Sequence, residues 1–333
     1  MANGGSRPLA PGGIDRPGNG STVTEREPII LDVDTGIDDA VALAYALGSP
    51  HADVIAVTTV AGNVGVEQTT ANTLAVLDWL GANQIPVHRG ASRPLARPHH
   101  DATYFHDADG LGGAKLPASR RAVGPDRGPA AMIRLLSQQP GAITLVCLGP
   151  LTNLAIALNV EPRLPEMVRE VVVMGGAFDV TGNVTPHAEF NVFCDPEAAS
   201  QVFSTAFPQL TVIGLDVTHQ TTLPRNVWMT ARENALSAAA VELVGTVFRQ
   251  AFEQRELSEV FLHDPLAVGV ALDPTLITVE AVAIAVDLDD EHRGRTRIVG
   301  PGNVRVARTV DAERYLDRFR NVLGLDENRG PAS

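Results

Sequence analysis

Short apolar stretches alternate with segments of helical spacing through most of the chain. Residues 28–34 and 53–60 are apolar, which predicts two buried strands. Residues 38–47 and 66–80 repeat apolar side chains three and four positions apart, which predicts a helix after each strand. Strands that alternate with helices lie parallel to one another. The pattern therefore predicts an α/β fold with an open, mostly parallel sheet flanked by helices.

The alternation resumes in the second half of the chain. It predicts strands at 143–148, 171–174, 210–216, 277–286, 296–299 and 304–309, and helices at 129–138, 151–158, 196–203 and 311–323, with 224–256 mostly helical. Residues 90–126 and 175–191 interrupt the pattern. A loop as long as 90–126 inside a compact domain is usually either functional or disordered. Its histidines and acids favour a function, and a disordered insertion is the alternative.

The ends of the chain differ from its middle. Residues 1–27 are rich in glycine and proline and lack apolar periodicity, which predicts a disordered N-terminal tail. Residues 28–325 show no internal repeat and no convincing linker, so we expect a single catalytic domain. Residues 326–333 are expected to form a flexible C-terminal tail.

Composition narrows the classes of function. The chain has 333 residues, 44% of them hydrophobic, and a net charge of −13, so we expect no nucleic-acid or membrane partner. Cys147 and Cys194 lie inside apolar stretches, which predicts reduced, buried thiols. The N-terminus lacks the basic-then-apolar order of a signal peptide, so we expect a cytoplasmic protein.

Four acids crowd the corner between the first strand and its helix. They are Asp32, Asp34, Asp38 and Asp39. Like charges this close repel one another unless a cation neutralises them, their pKa values rise, or solvent screens them. Two acids in a first helical turn are common for structural reasons, but four favour a metal site. Oxygen donors suit Ca²⁺ or Mg²⁺ better than zinc.

Further polar residues follow other strands, whose carboxyl ends form the ligand-binding edge of an open parallel sheet. They are Asn63, the Gly149-Pro150 turn after Leu148, Met174, Asn183, Glu189 and Asn191. Each has a structural explanation when taken alone. Asp264 before Pro265 suits a helix N-cap, as does Asp195 before Pro196, for which we accept the structural role. An isolated His263 would more often be structural than catalytic.

Taken together, these motifs resemble the inosine-uridine preferring nucleoside hydrolase family. The matching segments, in the order of that family, are 32–39, 60–63, 149–153, 174–176, 189–191 and 263–265. The resemblance extends over about residues 28–325. It implies a nucleoside hydrolase fold with a Rossmann-like core, and enzymes that are often dimers or tetramers, so a homo-oligomer is expected.

The resemblance also implies an activity: Ca²⁺-dependent hydrolysis of the N-glycosidic bond of ribonucleosides to base and ribose, in purine or pyrimidine salvage. The implied metal ligands are Asp34, Asp39, the Leu148 carbonyl and Asp264. Asp34 would also be the general base on the metal-bound water, and His263 would protonate the leaving base. The residues implied around the ribose are Asp38, Asn63, His106, Met174, Asn183, Glu189 and Asn191.

One loop departs from the family pattern. Many members carry His-x-His-Gly there, whereas this chain has Tyr104 at the first histidine and Asp107 at the glycine. His106 remains, which keeps a role near the 5′ side of the sugar. The loop has no tryptophan to stack a purine, and His263 is retained. Both points favour an inosine/uridine-like or pyrimidine-preferring member.

Two other functions fit part of the sequence. A haloacid dehalogenase-type phosphohydrolase would use Asp32 as nucleophile with Mg²⁺, but it gives no role to residues 189–191 and 263–265. A non-catalytic nucleoside- or ribose-binding protein could share the fold. Loss of an essential acid would favour it, yet Asp34, Asp38, Asp39 and Asp264 are all present.

Overall fold

A nine-stranded sheet forms the centre of the computed structural model, which describes residues 26–233 and 239–325. The strands are β1 (Glu27–Val33), β2 (Ala52–Thr59), β3 (Val87–Arg89), β4 (Thr144–Cys147), β5 (Glu170–Met174), β6 (Leu210–Ile213), β7 (Thr222–Pro224), β8 (Glu259–Phe261), β9 (Ile277–Val286), β10 (Thr296–Pro301) and β11 (Val304–Val310). The sheet order is β10-β9-β11-β6-β5-β4-β1-β2-β3, and β7 pairs with β8 separately. The tails predicted at 1–27 and 326–333 lie outside the described residues, apart from 26 and 27.

The helices cover both faces of the sheet. They are α1 (Ile37–Gly48), α2 (Val66–Trp79), α3 (Thr103–His106), α4 (Gly128–Gln138), α5 (Thr152–Val160), α6 (Leu164–Met167), α7 (Phe190–Cys194), α8 (Pro196–Ser204), α9 (Leu215–Thr218), α10 (Arg225–Glu233), α11 (Ala239–Val247), α12 (His263–Leu272) and α13 (Ala312–Leu323), with a π-helix at Gln250–Gln254 and a 3₁₀ turn at Pro274–Leu276. Within the described ranges, no helix is both long and apolar enough to cross a membrane.

The prediction of a mostly parallel α/β sheet is confirmed. Strand pairs from β3 across to β6 and on to β11 are parallel, whereas β9 is antiparallel to both β10 and β11. From β1 the chain runs to β2 and β3 on one side, and later to β4, β5 and β6 on the other. The order thus reverses next to β1, and such reversals are where open α/β sheets bind ligands.

Alternation along β1 divides the core into two layers. Ile29, Leu31 and Val33 pack into the cluster that contains side chains of α1, α12 and α13. Ile30 packs into the opposite cluster, with side chains of α4, α5 and α8. Because β1 is buried on both faces, its carboxyl end is held firmly under the neighbouring loops.

The described part of 224–256 is mostly helical, as predicted, and consists of α10, α11 and a π-helix. The hairpin strands β7 and β8 beside it were not predicted. The irregular stretch at 90–126 contains the short helix α3, and the one at 175–191 ends inside the short helix α7. These helices are four and five residues long, too short for hydrophobic periodicity to reveal.

Candidate active site

A cavity of about 360 Å³ opens at the carboxyl ends of β1, β4 and β5. The predicted site residues that line it are Asp34, Asp38, Asn63, His106, Leu148, Met174, Asn183, Glu189, Asn191, His263 and Asp264. Asp39 does not line the cavity, but it is fully buried beside it. The fold therefore brings together residues that lie far apart in sequence.

The carboxylate of Asp39 organises the turn between β1 and α1. Its Oδ1 accepts from the N–H of Asp34 at 3.1 Å, and its Oδ2 accepts from the N–H of Gly36 at 2.9 Å. The side-chain amide of Asn63 donates to the same Oδ2 at 3.2 Å. Gly36 is the N-cap of α1, where a Cβ atom would lie 2.6 Å from both Asn63 and His106. The turn therefore needs glycine because three elements meet there.

Asp34 is oriented by the end of β2. The backbone N–H of Asn63 donates to its Oδ2 at 2.7 Å. A Cβ atom at Gly62 would lie 2.0 Å from that oxygen, and one at Gly149 would lie 2.8 Å from Oδ1. Two glycines thus leave room for the carboxylate between two strand ends, which explains why both follow strands in the sequence.

Three carboxylates converge more closely than the sequence indicated. One oxygen each of Asp38, Asp39 and Asp264 lies within 4.8 Å of the others. This group contains Asp38, which was assigned to the ribose, in place of Asp34. Burial raises the pKa of Asp39 to about 7, with the nearby Asp38 charge adding to the effect. Burial, followed by the charges of Asp38, Asp39 and Asp34, raises the pKa of Asp264 well above its usual range.

This cluster has the chemistry of a hard-cation site. No lysine or arginine is found among the described residues that line the cavity. Burial and the charge of Asp39 raise the pKa of Asp34 as well, so protein groups leave the negative charge uncompensated. Carboxylate and carbonyl oxygens suit Ca²⁺ or Mg²⁺, whereas no cysteine lines the cavity within the described ranges. A divalent cation therefore fits the donor set.

A single side-chain amide joins the ends of β4 and β5. Nδ2 of Asn191 donates to the Leu148 carbonyl oxygen at 2.7 Å and to the Met174 carbonyl oxygen at 3.2 Å. The backbone N–H of Asn191 also donates to Oε1 of Glu189, the N-cap of α7, at 2.8 Å. The predicted carbonyl ligand at Leu148 is therefore fixed by a residue of a different loop.

Glu189 and Asn183 both hold the backbone of the 175–191 loop. Oε2 of Glu189 accepts from the N–H groups of Gly176 and Val192, each at 3.1 Å. Burial raises the pKa of Glu189 to about 7. Oδ1 of Asn183 accepts from the N–H of Phe190 at 2.9 Å. Both residues therefore have a structural role in holding this loop, and both also line the cavity.

The two predicted histidines occupy different walls. Nδ1 of His106 accepts from the N–H of Ile37 at 3.0 Å, so its neutral ring carries the proton on Nε2. Nδ1 of His263 lies 2.7 Å from the hydroxyl of Thr218. Burial first, then the charges of His219 and His106, lowers the pKa of His263 to about 3. His263 is therefore neutral at pH 7 in the ligand-free protein.

Further residues complete the cavity wall. Phe105, His219 and Phe261, which were not predicted, line the cavity together with Tyr104 and Phe248. The His219 and Phe261 rings have centroids 4.5 Å apart. No sequence signal marked His219 or Phe261, because each follows or lies in a short element that periodicity did not reveal.

Four aromatic side chains differ in their burial. Trp228 is 1% exposed and packs on Phe252 with ring centroids 4.9 Å apart. Phe252 is in the core, and Phe248 is in the cavity wall. Trp79 is partly buried against the core.

The remaining acids have structural positions. Asp32 is buried outside the cavity lining, where its Oδ1 accepts from Thr58 at 2.6 Å and from Asn153 at 2.7 Å. Burial raises the pKa of Asp32 to about 7. Because Asp32 does not line the cavity, a nucleophilic role as in a haloacid dehalogenase does not fit this site. Asp195 is the N-cap of α8, as expected, whereas Asp264 lies in the first turn of α12, whose N-cap is Leu262.

Comparison with known proteins places this geometry in context. Residues 29–317 match the profile of a family described as inosine-uridine preferring nucleoside hydrolase. A Leishmania major protein of that name is 40% identical over 264 residues, which cover 78% of this chain and 83% of the relative. The non-specific ribonucleoside hydrolase RihC of Shigella boydii is 37% identical over 310 residues, covering 90% of this chain and 99% of the relative.

Solved structures give the same result. A purine-preferring ribonucleoside hydrolase from Gardnerella vaginalis superposes with a TM-score of 0.83 at 35% identity, over 90% of this chain and 99% of that one. The plant nucleoside hydrolase PpNRh1 superposes with a TM-score of 0.81 at 35% identity, over 89% and 98% of the two chains.

Proposed function

Because the chain belongs to the inosine-uridine preferring nucleoside hydrolase family, we propose that its cavity binds a ribonucleoside and hydrolyses it with the help of Ca²⁺. The chain is a ribonucleoside hydrolase, an N-glycosidase. The observation that carries the finer proposal is the buried carboxylate cluster at the carboxyl end of β1, which lacks a protein cation among the described lining residues.

The cation would be held by oxygen donors from three segments. These are the carboxylates of Asp34, Asp39 and Asp264 with the Leu148 carbonyl, and the geometry adds Asp38 to the candidates. When bound, Ca²⁺ would supply positive charge that lowers the pKa of a nearby water and binds ribose hydroxyls.

Asp34 is proposed as the general base. Its carboxylate would accept a proton from the attacking water while the water oxygen bonds to the anomeric carbon and the bond from that carbon to the base nitrogen breaks. The sugar carries positive charge in the transition state. The carboxylates of Asp38 and Glu189, with the amide oxygens of Asn63, Asn183 and Asn191, would stabilise that charge around the ribose.

His263 is proposed to assist the departing base. The Thr218 hydroxyl occupies its Nδ1, which leaves Nε2 for the base. Since the low pKa keeps this ring neutral in the free protein, its contribution is a hydrogen bond from Nε2–H to the base as negative charge develops on the base. Full protonation of the base would require an imidazolium, which would have to take a proton from solvent after the substrate binds. His106 is proposed to bind the 5′ side of the sugar, opposite His263.

The direct test is ribose release from inosine, uridine, adenosine, guanosine and cytidine, before and after EDTA treatment. We expect turnover that EDTA removes and Ca²⁺ restores. Hydrolysis of p-nitrophenyl phosphate in its place would reject the proposal, and tight nucleoside binding without ribose release would indicate a binding protein. A role in nucleoside salvage, a cytoplasmic location and a dimer or tetramer belong to the same proposal.

A further inference from the structure

Arg255 binds two carbonyl groups in the last turn of the short helix α3. Its Nη2 donates to the carbonyl oxygen of Tyr104 at 2.6 Å and to that of Phe105 at 3.0 Å. The central carbon of the guanidinium lies 4.8 Å from the centroid of the Phe105 ring. Arg255 directly follows the π-helix, so it connects a separate wall of the cavity to α3.

Arg293 holds α7 in the same way on the other side of the site. Its Nε donates to the carbonyl oxygen of Phe193 at 2.9 Å, and its Nη2 donates to that of Cys194 at 3.2 Å. Its guanidinium carbon lies 4.2 Å from the Phe193 ring centroid. Arg293 lies in the connection between β9 and β10. Both arginines thus bind two successive carbonyls of a short helix and stack on a phenylalanine of that helix.

Helices this short need such support. α3 has four residues and α7 has five, so nearly all their carbonyls lack intrahelical partners. One turn of helix is unstable alone because nucleation costs more than its few hydrogen bonds return. A cation at the helix C-terminus satisfies these carbonyls and interacts favourably with the helix dipole. Stacking on an aromatic ring adds further attraction.

Each short helix contributes to the cavity wall and carries one of the polar side chains predicted for the site. His106 is the last residue of α3, and it accepts from the N–H of Ile37 at the start of α1. Asn191 is in the first turn of α7, and it bonds to the Leu148 carbonyl oxygen. Movement of either helix by one ångström would break these bonds.

We propose that Arg255 and Arg293 are positioning residues that fix His106 and Asn191, respectively, by holding the C-terminal carbonyls of α3 and α7. Neither arginine lines the cavity. Their effect on catalysis rests on the proposed nucleoside hydrolysis, whereas their effect on the two helices does not.

The test compares Arg255→Met and Arg293→Met, which keep an apolar stem but lose the donors and the charge. Arg249→Met and Arg297→Met are the controls for loss of an arginine, since both residues are exposed. Arg249 directly precedes the π-helix, and Arg297 lies in β10, where it pairs with Asp287. We expect kcat/KM for inosine to fall by about 10- to 100-fold in the two test variants, because small misplacements of site residues cost that much. The controls should stay within about twofold of wild type.

Hydrogen exchange gives a readout that does not depend on activity. Amide exchange should accelerate in residues 103–106 of Arg255→Met only, and in residues 190–194 of Arg293→Met only. Arg255→Lys and Arg293→Lys should recover part of the protection, because lysine can reach a carbonyl with one charged donor. Equal acceleration throughout the protein would overturn the proposal in favour of general destabilisation.

Double variants separate positioning from other effects. Arg255→Met should cost little more in a His106→Ala background, and Arg293→Met little more in Asn191→Ala. In the crossed pairs, Arg255→Met with Asn191→Ala and Arg293→Met with His106→Ala, the two losses in kcat/KM should multiply. If the losses also multiply in the matched pairs, the assignment is wrong. If wild-type protein releases no ribose, the proposed function fails, and the exchange data still decide whether the arginines hold the helices.

Discussion

The backbone N–H of Asn63 donates to Oδ2 of Asp34 over 2.7 Å, so the end of β2 sets the direction of the carboxylate at the end of β1. An asparagine at position 34 can still accept this bond through its amide oxygen, but it cannot accept a proton from water. We expect Asp34→Asn to keep its unfolding temperature within a few degrees and to lose about 10²- to 10⁴-fold in kcat. Asp53→Asn, on the exposed part of β2, is the control for charge removal. Near-normal turnover in Asp34→Asn would exclude Asp34 as the base.

Substitution of His263 tests assistance to the leaving group. We expect His263→Ala to lower kcat/KM for inosine by about 10²-fold or more, because the departing purine loses its hydrogen-bond donor. The loss should be much smaller for a p-nitrophenyl riboside, whose leaving group needs little protonation. Steady-state kinetics on both substrates decide the point, and equal losses would show that His263 acts elsewhere.

Substitution by alanine should affect activity and stability at Gly62 much more than at Gly65. A Cβ atom at Gly62 would lie 2.0 Å from Oδ2 of Asp34, whereas one at Gly65 has no atom within 4 Å. We expect Gly62→Ala to displace the carboxylate, remove most activity and destabilise the protein by about 1–3 kcal/mol. Gly65→Ala should keep its activity and lose at most about 1 kcal/mol as an N-cap change. Denaturant unfolding and ribose release measure both, and an active Gly62→Ala would contradict the described geometry.

Asp107 occupies a backbone conformation that favours glycine, with φ of 65° and ψ of 172°. Glycine stands at this position in the pattern that many family members carry. We expect Asp107→Gly to raise the free energy of unfolding by about 1 kcal/mol, since relief of about 1–3 kcal/mol of strain exceeds the entropy cost of glycine. Asp109→Gly should instead destabilise, because the Asp109 carboxylate accepts from the N–H groups of Leu111 and Gly113. Thermal melts of the pair compare the two effects, and a lower melting temperature for Asp107→Gly would contradict the strain.

His106 should make stability depend on pH. Burial, followed by the charge of Arg255, lowers its pKa from 6.5 to about 3. Below pH 6.5 this histidine is protonated in the unfolded chain but stays neutral in the folded protein. Its contribution to the free energy of unfolding therefore falls as the pH falls from 6.5 towards 3. Between pH 7 and pH 5, wild type should lose about 2 kcal/mol more than His106→Gln, which can still accept from Ile37. Urea unfolding at both pH values measures the difference, and parallel losses would show that His106 is not held neutral.

The sequence predicted the sheet well because its central strands are almost wholly apolar and alternate with helices. β1 was placed to within a residue at its start, and the strands predicted near 277–286, 296–299 and 304–309 correspond to β9, β10 and β11. The hairpin of β7 and β8 was missed, since three-residue strands carry no measurable alternation.

The candidate site shows where sequence reasoning ends. Motif order located the residues around the cavity, but not which carboxylates approach one another most closely. The grouping of Asp38 with Asp39 and Asp264 depends on side-chain directions that Asn63 and two backbone N–H groups impose on the corner. Arg255 and Arg293 carried no signal, because each acts through carbonyl groups, which every residue possesses.

The corner at Asp39 also sets a limit on engineering. The two oxygens of its carboxylate accept from the N–H groups of Asp34 and Gly36, which lead into α1, and the same carboxylate belongs to the acidic cluster. The start of this helix and the acidic cluster therefore share one carboxylate. A substitution that strengthens the start of this helix would therefore also change the electrostatic field at the cavity.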